Sequence, residues 1–325
     1  MWKTCAMLLL LALNLPVIRG VLEIPRLLFT LKAISFPVEG AVVCHNARGL
    51  EGTLREHEQQ LLRVFKEVRN SPRVWLYVHG SWADNKRTSF SDLDDLVIVD
   101  LSGATLVDIV RISWQLWLSD RRMRIIDPLQ HHGHWIISAE ALNGADAGYI
   151  PLQVVEGALV LSGPKKLRAR QNQAKSLETL QRNISVSVSE ILIWLRKLEN
   201  QSLRLYELKR MCSALALLPA YVFQSQGLRL TKVEAIEKTK EISEPLKETL
   251  EWTWEVREAW NQLQTFKETL LLPWIARLPL SGPHYRRFAA ALSSKALLPR
   301  ELEPKIGHIE AFLAWAQEEI RVGKW

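Results

Sequence analysis

Cysteine is scarce in this chain: three residues, Cys5, Cys44 and Cys212, stand far apart among 325 with no C-x-x-C spacing. That excludes a disulfide framework and a cysteine-based zinc site, and it favours a reducing compartment, the cytoplasm. Long apolar runs are missing too. The run from Cys5 to Ile18 is broken by Asn14 and Pro16, and it is shorter than the roughly 20 residues a membrane span needs. Behind Lys3 it has a signal-peptide outline, but no A-x-A cleavage site follows. Residues 1–45 are therefore read as an apolar segment, buried or peripheral, with a signal or anchor as the alternative and no membrane partner expected. No internal repeat is visible, nor any RRM or KH signature.

What is present is ordinary globular material, 48% hydrophobic and 24% charged, in a chain long enough for two domains with real cores. Residues 50–69, LEGTLREHEQQLLRVFKEVR, place apolar side chains near helical spacing, and Ser71-Pro72 ends the run. V-W-L-Y-V-H-G then reads as a strand ending at Gly80. DLDDLVIVD reads as a second strand, GATLVDIVRISWQLWLSD as an amphipathic helix and RMRIID as a third strand. Strands alternating with helices imply an α/β sheet.

Between the first two strands lies H-G-S-W-A-D-N-K-R-T-S-F-S-D-L-D-D, residues 79–95. On a strand alternate side chains share a face, so Asp92 and Asp94 point the same way, roughly 7 Å apart along the chain. Two carboxylates so placed repel each other unless a cation lies between them, and Mg²⁺ or Mn²⁺ suits oxygen ligands. Gly80 lets the backbone approach a phosphate closely, and the turn from Ser81 directs N–H groups and a hydroxyl toward an anion. Together these residues describe a site for a metal-bound nucleoside triphosphate.

Gly80-Ser81, a ten-residue spacer from Trp82 to Ser91, and Asp92-Leu93-Asp94 resemble the signature of the nucleotidyltransferase superfamily, which includes DNA polymerase beta, kanamycin nucleotidyltransferase and the minimal nucleotidyltransferases. His79 and Asp95 depart from positions that are more often apolar. The resemblance is firm over residues 50–100 and loose to about 164. It implies transfer of a nucleoside monophosphate from a nucleoside triphosphate, with ATP the expected nucleotide, to an acceptor hydroxyl. Two Mg²⁺ (or Mn²⁺) ions would lie on Asp92 and Asp94, with Gly80 and Ser81 on the phosphates. It also implies a third carboxylate on a later strand, serving as metal ligand and general base. Asp127 at the end of RMRIID is the candidate, against a plain turn before Pro128; Glu140, Asp146 and Glu156 are weaker ones.

His131, His132 and His134 cluster in DPLQHHGHWIIS, either as a satisfied polar turn or, if the loop borders the cleft, as acid–base or phosphate-contacting groups. No zinc spacing is evident. YIPLQVVEGALVLSGP resembles the close of a catalytic domain, with an apolar helix and a short strand, which gives 46–164 as the catalytic domain and 165–325 as a helical bundle. Trp252, Trp254 and Trp260 are read as core. Residues 165–212 carry eleven Lys or Arg against four Glu, a solvated face or a wall toward the triphosphate. In relatives the helical domain packs over the nucleotide, so Lys209, Arg210 and Tyr206 are candidates for the far wall. A small-molecule or protein acceptor is expected ahead of nucleic acid, and the rival reading is a nucleotidyltransferase-like fold kept as a binding or regulatory module.

Overall fold

The structure, a computed structural model, describes residues 16–32, 41–50, 56–143, 155–171, 173–228 and 230–322. The apolar run of residues 5–15 and the weaker acid candidate Asp146 lie outside the described residues. The chain is mixed α/β and mostly helical, and among the described residues every strand precedes Gln173.

Five strands form a mixed sheet in the order β2 (Arg48–Gly49), β6 (Leu159–Ser162), β3 (Val74–His79), β4 (Asp94–Val99), β5 (Trp135–Ser138). β3 and β4 run antiparallel with Val74 opposite Val99 and His79 opposite Asp94. β4 and β5 run parallel with Leu96 opposite Trp135, so a helix must carry the chain back across the sheet. That helix is α3 (Leu106–Ile126), which follows α1 (Pro16–Lys32) and α2 (Glu56–Val64). Val74, Leu76, Val78, Val97 and Val99 bury one face of the sheet against Ile112, Leu116 and Met123 of α3 and Leu61 of α2.

RMRIID, expected as a strand, is the last turn of α3 with Asp127 as its C-cap. Two causes are visible. Thr105 and Asp108 close a capping box that starts the helix firmly, and the buried positions Ile112, Leu116 and Met123 keep helical spacing into that segment. The helix stops at Asp127 because a residue before proline is pushed out of the helical region, and Asp127 is extended at φ −125°, ψ 93°.

A second difference follows Pro164. Instead of helix, Lys166–Gln171 form β7, paired antiparallel with β1 (Ala41–Asn46). Leu167 and Ala169 are buried while Lys166 and Arg168 are exposed, the period-two pattern of a half-buried strand. The helical region then begins at Gln173 with α4 (Gln173–Glu199), α5 (Leu205–Ser225), α6 (Lys232–Lys240) and α7 (Glu244–Glu258), and it ends with the helix α8 (Ile306–Val322) after short helical turns and a further helix over Gly282–Leu292.

The two regions share one core. Phe90 and Leu129, from loops of the sheet half, pack with Leu208, Met211, Cys212 and Trp260 of the helical half. Trp252 and Trp260 are buried as expected, whereas Trp254 is half exposed and donates its Nε1 hydrogen to Glu258 at 2.8 Å.

Candidate phosphate and cation site

The antiparallel register of β3 and β4 builds the mouth. With His79 opposite Asp94, the chain leaving β3 must turn beside the first residue of β4, and Gly80–Trp82 form that turn as one short 3₁₀ segment. Gly80 has φ +67°, a conformation costly for residues with a Cβ, and a Cβ there would sit 3.3 Å from Asp94 Oδ2. Glycine is thus required by the turn and by the closeness of the carboxylate. Trp82 and Ala83 are buried behind the turn, Arg87 stacks over the Trp82 ring at 4.5 Å, and the Gly80 carbonyl accepts from the Ala83 and Asp84 amides.

The opposite lip is the loop from Asp127 to His134. Gln130 is buried and locks it to the aspartate strand, donating from Nε2 to the Leu93 carbonyl at 3.0 Å and accepting from the Leu93 amide at 3.4 Å. Asp127 turns the loop by accepting from the Leu129 amide at 3.1 Å. This lock places His131 Nδ1 3.4 Å from Asp92 Oδ2 and His132 Nε2 2.9 Å from Asp94 Oδ1. The histidines expected in a turn therefore do border the cleft.

His134 behaves differently. Its Nδ1 pairs with buried Asp95, and its Nε2 faces Ser119 Oγ at 2.8 Å and the Leu116 carbonyl at 3.0 Å. Aspartate, histidine and serine are thus in sequence, but Ser119 is buried and its hydroxyl donates to the helix carbonyls of Gln115 and Leu116. This chain ties α3 to β5 and offers no exposed nucleophile.

Lys209 from α5 enters from the helical side. It is fully buried, with Nζ 3.0 Å from Asp92 Oδ1 and paired with Asp127 Oδ2. Asp127, the candidate third acid, lies across the Lys209 ammonium from Asp92 and comes from a helix cap instead of a strand. Lys209 thus points its ammonium at the two acids. Arg210 faces away: it pairs with Glu190 at 2.9 Å and stacks over Trp194. Tyr206 is buried beside Lys209, within reach of the field of Asp92. Glu140 and Glu156 are exposed residues of short turns.

The electrostatics follow from this packing. Burial would raise the Asp92 carboxyl, but Lys209 and then His131 outweigh it and hold it well below the usual carboxylate range. Asp127 moves up, because burial and Asp92 together exceed the pull of Lys209. Of two acids sharing one ammonium, Asp92 keeps its charge more firmly. Burial lowers His131 despite Asp92, whereas for His132 the hydrogen bond and charge of Asp94 overcome burial and push it up to about 9.

Two cations that the sequence did not single out complete the surroundings. Arg257 of α7 stacks over Phe90 at 4.5 Å, and Lys232 opens α6; both lie within the fields of Asp92 and Asp94. Lys232 is exposed as a residue, while the protein around its ammonium, then Arg257, lowers it. The stretch around them is acidic, so nothing local marked these residues; only the folding of α6 and α7 over the mouth does.

A cage of Asp92, Asp94 and Asp127 around two Mg²⁺ ions does not fit this arrangement, since Lys209 takes up Asp127 and one oxygen of Asp92. Asp92, His131 and His132 bring one ligand atom each within 4.8 Å of the others and so fit one divalent cation, and His131 Nδ1 is buried without a hydrogen bond. Set against protein-family models, curated proteins and solved structures, the chain finds no match in any of the three.

Proposed function

We propose that the chain binds a nucleoside triphosphate at this mouth and transfers its nucleoside monophosphate to an acceptor hydroxyl, releasing pyrophosphate. The observation that carries this reading is the β3–β4 register, which sets the Gly80-Ser81 turn against Asp94 with Asp92 two residues away. The Ser81 hydroxyl and the backbone of the turn hold the β and γ phosphates, and Lys232 and Arg257 offset their charge from the helical side. A divalent cation on Asp92 and Asp94, Mg²⁺ or Mn²⁺, would neutralise charge on the reacting phosphate. The acceptor oxygen forms its bond to the α-phosphorus as the bond to the β-phosphate oxygen breaks, and its proton passes to the solvent that reaches Asp94.

One observation favours a second reading. Lys209 already supplies a cation between Asp92 and Asp127, which suits a fold that binds nucleotide without turning it over. Incubation with each α-labelled nucleoside triphosphate, divalent cation and fractions of cell extract separates the two. Transfer predicts label on an acceptor with wild type and little with Asp94→Ala, because phosphoryl transfer relies on charge neutralisation more than on a protein nucleophile. Label on a small molecule, protein or RNA names the acceptor class, whereas nucleotide binding with no labelled acceptor supports the binding module.

A further inference from the structure

The ligand-bearing atoms of Asp92, His131 and His132 all lie within 4.8 Å of one another. The spacing inside the cluster is informative. Two atoms bonded to one cation at about 2.1 Å stand about 3.0 Å apart at a right angle and about 3.4 Å apart at the tetrahedral angle. At the edge of the cluster His132 Nε2 lies 2.9 Å from Asp94 Oδ1, a residue outside the set, and within it His131 Nδ1 lies 3.4 Å from Asp92 Oδ2. The latter is long for a hydrogen bond, and the buried His131 Nδ1 has no hydrogen-bond partner. The three residues are half-buried, so an ion can enter from solvent. The loop that carries the imidazoles is held from behind by Gln130, as a site requires if its ligands are to keep their positions.

We infer that Asp92, His131 and His132 form a mixed carboxylate–imidazole site for one transition-metal cation, Mn²⁺ or Zn²⁺, in preference to Mg²⁺. The chemistry of the donors sets the choice. Mg²⁺ demands an octahedron of oxygens and sheds its water reluctantly, whereas imidazole nitrogen raises affinity along the first-row series. Lys209 has a part in this selection: by pairing with Asp127 it removes the third carboxylate from the set, leaving imidazoles as the nearest further donors. Asp94 adjoins the set through His132 and supplies the next oxygen. The inference rests on the mouth proposed above for nucleotide, but it is measured without nucleotide, so the two readings fail separately.

The full-length protein, stripped of metal with chelator, is titrated with Mn²⁺, Zn²⁺ and Mg²⁺ by calorimetry, with free Mn²⁺ counted by electron paramagnetic resonance. We expect one tight equivalent of Mn²⁺ or Zn²⁺, at least tenfold tighter than Mg²⁺, and a further tenfold or larger loss in His131→Ala and His132→Ala with Mg²⁺ binding little changed. Equal affinities for Mn²⁺ and Mg²⁺, or variants that fold and bind Mn²⁺ as wild type does, would overturn it. If either variant fails to fold by circular dichroism, wild type with bound Mn²⁺ decides: electron spin-echo modulation from coordinated imidazole nitrogen supports the site, and its absence refutes it. Mn²⁺ held by nitrogen in a protein that labels no acceptor would keep this inference and sink the transfer reading; transfer supported by Mg²⁺ with no nitrogen ligation would do the reverse.

Discussion

Three aspartate–histidine pairs arise from two short stretches, S-D-L-D-D and H-H-G-H, and the molecule uses them in two ways. Asp92–His131 and Asp94–His132 stand at the mouth, where the Asp94 side chain is 36% exposed. Asp95–His134 lies behind them, almost wholly sealed, with both imidazole nitrogens partnered. The cause is strand geometry. Asp94 and Asp95 are successive residues of β4 and so point to opposite faces, and the register of Leu96 with Trp135, carried back one residue, sets His134 beside Asp95. Identical chemistry therefore becomes an open pair on one face and a structural pin on the other, with burial deciding between them.

The largest effects should come from breaking the sealed contacts. Lys209→Met leaves Asp92 and Asp127 facing each other without their cation, and Asp95→Ala leaves His134 buried beside an empty place. Each should lower the unfolding free energy by about 3–5 kcal/mol in urea, the usual result of removing one partner of a buried charged pair. The same change at the mouth, Asp94→Ala, should cost less than about 1 kcal/mol, because its partner keeps water. Similar losses at Asp94 and Asp95 would erase the distinction.

Gly80→Ala tests the turn between the two faces. A left-handed residue with a Cβ costs roughly 1–2 kcal/mol, and this Cβ also approaches the Asp94 carboxylate. Nucleotide affinity should fall together with stability, whereas Gly103→Ala, at φ +60° in an open loop, should cost stability alone.

The smallest effect is a pH dependence away from the site. Burial would raise the Glu67 carboxyl, but Arg122 bonds to it and brings it below its ordinary 4.5. A folded value below the unfolded one means stability that is present above about 4.5 and lost as pH falls through the folded value. Both side chains are partly exposed, so under about 1 kcal/mol is expected. Stability measured between pH 6 and 3 should show a shallower decline in Glu67→Gln than in wild type; parallel curves would remove Glu67 from the account.

Much of the mouth was legible because it is local in sequence. Gly80-Ser81 and the alternating aspartates occupy one hairpin-like segment whose strands V-W-L-Y-V-H and D-L-V-I-V are written in their side chains. Asp127 was misread because Ile125 and Ile126 look β-like in isolation, while the capping box that commits the segment to helix lies some twenty residues earlier. Lys232 and Arg257 were invisible for another reason: their relation to Asp92 and Asp94 exists only once α6 and α7 pack on α5. The pairing of Lys209 with Asp92 and Asp127, where the sequence suggested the far wall of the cleft, likewise depends on where α5 meets the loop at Asp127.

Joint binding of nucleotide and cation by the Gly80-Ser81 turn and the open aspartates is read out by thermal unfolding with a non-hydrolysable ATP analogue, with and without Mn²⁺ or Mg²⁺. A ligand at 100 times its Kd stabilises by about 2.7 kcal/mol. Wild type should show a shift that needs analogue and cation together, and Asp92→Asn with Asp94→Asn should abolish it while remaining folded. An equal shift in the double variant, or none in wild type, would contradict the account.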